Sequence, residues 1–137
     1  MLTRPDTAQI LEAITDDLTK VVAPAVGDDE AATVLLGQID QLVRRMARRA
    51  AHEIGWMAEE IAAIDATLGR TPDPADSWHL AAVLERYSAA SAALGDAIED
   101  AFAAGDNERV AQLKGVLDHR IANEQEILGA LDLVGRG

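Results

Sequence analysis

The 137 residues carry 24 acidic and 12 basic side chains, a net charge of −12, so the average surface repels nucleic-acid phosphates and anionic lipid. Cysteine is absent, which excludes disulfides, thiolate zinc sites and cysteine nucleophiles together. Hydrophobic residues make up 49% of the chain but aromatics only 3%, which suits closely approaching aliphatic helices and leaves little surface on which a base or flat cofactor could stack.

A chain of this length buries a core without metal or disulfide staples, and the expectation is one helical-bundle domain over 1–137. The opening residues lack the basic segment and apolar run of a signal peptide, and no window reaches the eighteen or so apolar residues of a membrane span. We expect a cytoplasmic protein with neither a membrane nor a nucleic-acid partner.

The first helix starts at Pro5 or Asp6. Asp6 and Gln9 have the spacing of a capping box, Leu11, Ile14, Leu18 and Val21 share one face, and Pro24 followed by Gly27 stops the helix. Asp28 and Asp29 suit the positive end of the next helix, which runs to Leu68. Its apolar positions Leu35, Ile39, Leu42, Met46, Ala50, Ile54, Met57, Ile61, Ile64 and Leu68 recur by threes and fours, one continuous stripe along about 60 Å of helix. Gly37 and Gly55 weaken it, and Gly55, beside Trp56 and Met57, is the expected kink and point of close approach.

Gly69 has the position of a left-handed cap, and Asp73 with Pro74 is expected to restart the chain as a third helix to Ala104. That helix buries the alanine-rich seam Leu80, Val83, Tyr87, Ala90, Leu94, Ile98 and Ala101. Gly105 and Asp106 force a tight hairpin into a fourth helix, apolar at Val110, Leu113, Leu117, Ile121, Leu128 and Leu131 and ending at Gly135. The fold class is all-α: an antiparallel four-helix bundle with one short and three long helices.

Chemistry is sparse. There is no phosphate loop, nucleophile elbow or zinc-protease motif, and His52, His79 and His119 are far apart in sequence. Glu124 falls near the centre of the fourth helix's stripe and Glu53 roughly 40° from the centre of the second's, counting 100° per residue. A carboxylate facing a core needs a partner or a raised pKa. Glu53 and Glu124, with Arg49 one turn from Glu53, therefore form a candidate buried polar site, read either as an ion-paired structural feature or as ligands inside the bundle. The glutamate-x-x-histidine motif of di-metal bundles is absent, because Trp56 and Ile127 occupy those positions. No cofactor and no metal is expected.

Arg44, Arg45, Arg48 and Arg49 concentrate four of the twelve basic residues within six positions. They read either as a solvated face balancing Asp40, Glu53, Glu59 and Glu60 or as a dock for an acidic partner or a phosphate. Arg44, Arg45 and Arg48, together with Trp56, Met57 and Ile61 on the uncovered part of the long stripe, form the expected interaction surface. It serves a second copy or a partner protein.

The stretch Arg4-Pro5-Asp6-Thr7-Ala8-Gln9-Ile10-Leu11-Glu12-Ala13-Ile14, with Leu18 and the Val22-Ala23-Pro24 exit, resembles a family of small bacterial helical proteins without an assigned activity. Some members accompany aminoglycoside-phosphotransferase-like kinases that phosphorylate hydroxyacyl-CoA substrates. The likeness implies a helical fold and a companion role. The family's phenylalanine-histidine pair is replaced by Val34-Leu35-Leu36-Gly37 and Ile39-Asp40-Gln41, so no functional residue carries over. The expected function is a non-enzymatic accessory subunit of a cytosolic enzyme, such as a kinase acting on acyl-CoA substrates. The alternative is a small-molecule or metal-binding bundle using the inward carboxylates.

Overall fold

The structure is a computed structural model that describes residues 4–72 and 77–129. All its regular elements are helical: α1 (Thr7–Asp17), a π-helical stretch over Leu18–Val22, the short α2 (Ala23–Ala25), α3 (Glu30–Leu68), α4 (Leu80–Ala104) and α5 (Asn107–Leu128). The fold is all-α. The residues group into two compact units, one formed by the chain up to Glu53 together with Ile127 onward, the other by Ile54–Glu126.

Local signals set most of the helix ends. Asp6 accepts from the Gln9 amide while the Gln9 side chain accepts from the Asp6 amide, a complete capping box. Asp29 accepts from the Ala32 amide at 3.0 Å, and Asp106 from the Arg109 amide at 2.9 Å. Gly69 and Gly105 adopt φ +66° and +68°, where a side chain would be strained, and the Arg70 amide closes back on the Asp65 carbonyl in a Schellman turn.

Two expected boundaries move. The third helix starts at Leu80 with His79 as its cap, not at Pro74, because Ser77 through His79 form a separate turn in which the Ser77 hydroxyl accepts the His79 amide. Asp73 and Pro74 themselves lie outside the described residues. The fourth helix stops at Leu128, where Gly129 turns to φ +72°, so Gly135 is not its cap and lies outside the described residues. Gly55 is neither a break nor a close approach, since α3 continues through it and a Cβ there would meet nothing within 4 Å.

In the first unit α1 lies antiparallel to α3. Thr19 reaches Asp40, while the earlier residues Gln9–Asp16 share a cavity with Arg44–His52. The joint is made by small side chains: Thr15 is 2% exposed and Ala47 6%.

In the second unit Ile64, Leu94 and Leu113 are sealed in a core completed by Ala90, Ala101 and Val116. From Glu60 to Thr67 along α3, the bonded partners on α5 fall from Arg120 to Arg109, so these helices are antiparallel. The Gly105 turn makes α4 and α5 antiparallel as well. Both α3 and α4 therefore run against α5 and in the same direction as each other. The segment between Leu68 and Leu80 makes this possible, since its length reaches up to roughly 36 Å, enough to return beside several turns of helix.

Candidate functional site: an uncovered two-helix face

On α3, Leu35, Ile39, Leu42 and Met46 are all exposed. Their 4-3-4 spacing is the a/d pattern of helix-on-helix packing. At 100° per residue this stripe lies roughly 100° from the face, centred near Ala47, that meets α1. On α1 the exposed residues Ile10 and Ile14 lie roughly 100–140° from Thr15 in the same sense, and the exposed Val21 follows in the π-helical stretch. Because the helices are antiparallel, the two rotations bring both stripes to the same side of the hairpin. Small residues knit the hairpin together and large aliphatic ones look outward from one side.

With Val34 at its edge, this face leaves on the order of 800 Å² open, the area one partner contributes to a standard protein–protein interface. Isolated exposed aliphatics need no explanation, but a continuous patch of this size marks a contact surface. Its margins are charged. Asp17 stands on the outer edge of α1, and Arg45 on the outer edge of α3.

The arginine cluster is divided among different tasks. Arg44 donates to Asp40 at 2.8 Å, and that bond keeps its guanidinium more firmly protonated than usual. Arg48 is half-buried and donates to the Ile127 carbonyl at 3.1 Å, capping the end of α5. Its guanidinium also fills the place a Cβ of Gly129 would take. Arg49 pairs with Glu53 at 3.2 Å, one turn on. Arg45 is left at the margin of the apolar face.

The expected surface through Trp56, Met57 and Ile61 is corrected. Met57 is 8% exposed and Ile64 fully buried, with Trp56 and Ile61 half-buried, because α4 and α5 both cover this end of α3. The open part of the stripe is its N-terminal half.

The residues of the expected buried site, Glu53, Glu124 and Arg49, are divided between the two units. Glu53 is half-buried with Arg49 in the first unit, while Glu124 is exposed on α5 in the second. The buried positions of α5 are Leu113, Val116 and Ile127, with Arg120 half-buried among them, an arc turned roughly 70° from the stripe read in the sequence. Among the described residues no group of three histidines or carboxylates is placed to hold a metal ion.

Arg120 explains that rotation. Its Nε donates to Glu60 at 2.6 Å and its Nη2 to Ser91 at 2.9 Å, while Tyr87 donates to the other Glu60 oxygen at 3.0 Å. The guanidinium lies 5.3 Å from the centre of the Tyr87 ring. Burial lowers the Arg120 pKa, but the hydrogen bond and charge of Glu60 outweigh it, so the net direction is upward. Burial, followed by the bond to Glu60, raises that of Tyr87. Glu60, which one of the two readings of the arginine cluster put on a solvated face, is buried with both carboxylate oxygens bonded.

No family model, curated protein or solved structure matches this chain. No helix among the described residues is long and apolar enough to cross a membrane.

Proposed function

We propose that the protein is a helical interaction subunit that works as a symmetric pair, its first unit supplying α1 and the N-terminal half of α3 to an intermolecular four-helix bundle. The supporting observation is the two-helix apolar face, whose spacing suits a helical partner and whose area suits one side of an interface. A second copy is the occupant because the margins complement each other. A two-fold axis parallel to the helices lays α1 of one protomer over α3 of its partner, and the Thr19–Asp40 contact puts Asp17 within about a turn of the level of Arg45. Opposite charges then meet at both edges of the pair.

Sedimentation equilibrium tests this. The wild type is expected to dimerise, and Leu42→Glu to weaken the dimer by at least about 100-fold while the far-ultraviolet circular dichroism stays unchanged. Arg45→Glu weakens it by about tenfold, and adding Asp17→Arg restores the loss. A wild type that remains monomeric at about 100 μM, where even a modest interface would assemble, overturns the pairing. So does a dimer indifferent to Leu42→Glu.

The wider role we propose is that of an accessory subunit to a cytosolic enzyme. The resemblance of the first helix supplies the candidate to mix with it first, a phosphotransferase-like kinase acting on acyl-CoA substrates. Co-migration of the two supports that role, and its absence removes the kinase as partner without touching the dimer.

A further inference from the structure

The second unit contains a cavity of about 360 Å³ where the chain beyond α3 returns over the groove between α3 and α4. Its floor is made of small and aliphatic side chains, among them Ala62 and Ala89, and Trp78 stands at its edge. One group in its wall is out of place for a merely structural hollow. Asp65 is 5% exposed, and its Oδ1 accepts no hydrogen bond among the described residues. Arg70 Nε lies 3.3 Å from that oxygen, close enough for charge attraction but not aligned to donate to it. A buried acceptor left in this state is costly, and the 8% of the Asp65 side chain that is exposed lies in the cavity wall, where a donor can reach the carboxylate.

The other charged groups of the wall define the rest of the ligand. Arg70 and Arg86 against Asp65 give the lining a net charge of +1, within a chain of net charge −12. Arg86 is held in place by two contacts, a bond from Nη2 to the Ser77 carbonyl at 3.1 Å and stacking over the Trp78 ring at 5.5 Å. These leave further guanidinium donors for an anion. Ala58 borders the cavity at the same end as Arg86, and α3 and α4 run parallel, so Asp65 lies about 10 Å further along the groove at 1.5 Å per residue. An ammonium at the Asp65 carboxylate would be repelled by Arg70, which favours a neutral donor there.

We propose that this cavity binds a small organic monoanion with an apolar body, its carboxylate on Arg86 and a hydroxyl or amide N–H at the other end donating to the Asp65 carboxylate. The site is separate from the apolar face of the first unit and does not depend on dimerisation.

Three probes of one shape test it by isothermal calorimetry on the full chain. 3-(4-Hydroxyphenyl)propionate carries both groups, 3-phenylpropionate lacks the donor, and tyramine replaces the anion by a cation. The first is expected to bind saturably, the second about tenfold more weakly and tyramine not at all. In Asp65→Leu the first two should bind alike, because the group that distinguishes them is gone; Asp65→Asn, which keeps the shape, gives a second measurement if the leucine variant does not fold. Arg86→Gln should weaken both carboxylates by about tenfold. No saturable heat from the first probe up to about 10 mM overturns the proposal. Equal affinity for the first two probes in the wild type, or for tyramine and the acid, does the same.

Discussion

The two units draw on one helix and differ in how that helix is covered. From Ile54 onward α3 carries two helices on its surface, and its buried arc widens until it takes in Glu60 on one flank and Asp65 on the other. Before Glu53 the same apolar periodicity continues, yet α1 meets α3 through Thr15 and Ala47 and leaves the stripe itself in the open. An amphipathic stripe therefore records that a helix packs against something. It does not record whether that partner belongs to the same chain.

The largest test of this contrast is a matched pair of leucine truncations. Leu94, 1% exposed among Ile64, Ala90 and Leu113, is expected to cost about 3–4 kcal/mol on replacement by alanine, through lost burial and the cavity left behind. Leu42→Ala, at a residue 57% exposed, should change the free energy of urea unfolding by less than about 0.5 kcal/mol when measured on monomeric protein at low concentration. Equal losses at the two sites would mean that the first unit holds a core of its own.

The charged side of the comparison comes next. Breaking a buried ion pair strands its partner, but Arg120 keeps a third of its side chain in solvent, so Glu60→Ala is expected to cost about 2 kcal/mol, less than a fully buried pair would. Arg49 and Glu53, the counterpart pair in the first unit, are half-open, and Glu53→Ala should cost well under about 1 kcal/mol. The pH dependence has a definite sign. Tyr87 is held neutral by burial and by its bond to Glu60, so its folded pKa stands above the ordinary 10.0. Its contribution is intact below that value and is lost as pH rises through the raised folded one. Urea midpoints should therefore fall as pH rises past about 10, and Tyr87→Phe should flatten that decline. A decline as steep in Tyr87→Phe as in the wild type would assign it to other groups.

What the sequence disclosed follows the range of the forces involved. The capping box at Asp6 and Gln9, the Asp29 and Asp106 caps and the glycines at 69 and 105 are local, and each could be read within four residues. The α4 seam was legible because Val83, Ala90, Leu94 and Ala101 serve a single periodicity. The rotation of α5 was not, because it depends on Arg120 meeting Glu60 sixty positions away. The burial of Met57 and the exposure of Leu42 depend on which end of α3 the later helices cover. In the sequence the connection between Leu68 and Leu80 is marked only as proline-rich and does not say which end that is.

The smallest effects distinguish two glycines of the first unit. Gly129 stands at φ +72°, and a Cβ there would come 3.0 Å from Arg48 Cζ and closer still to one guanidinium nitrogen. Gly129→Ala must strain the backbone and displace the arginine that caps the Ile127 carbonyl, a loss of about 1–2 kcal/mol. Gly37 lies inside α3 with nothing within 4 Å of the same position, so Gly37→Ala should gain up to about 1 kcal/mol from helix propensity alone. Because these changes act in the unit with little core, local unfolding there should register them before global unfolding does. Hydrogen exchange of the amides in α1 and the N-terminal half of α3 is the measurement: faster in Gly129→Ala, slower in Gly37→Ala, with the Leu94 region unchanged in both. If both substitutions instead shifted the exchange of Leu94 and Leu113 equally, the two units would open as one, and the difference in covering would have no counterpart in stability.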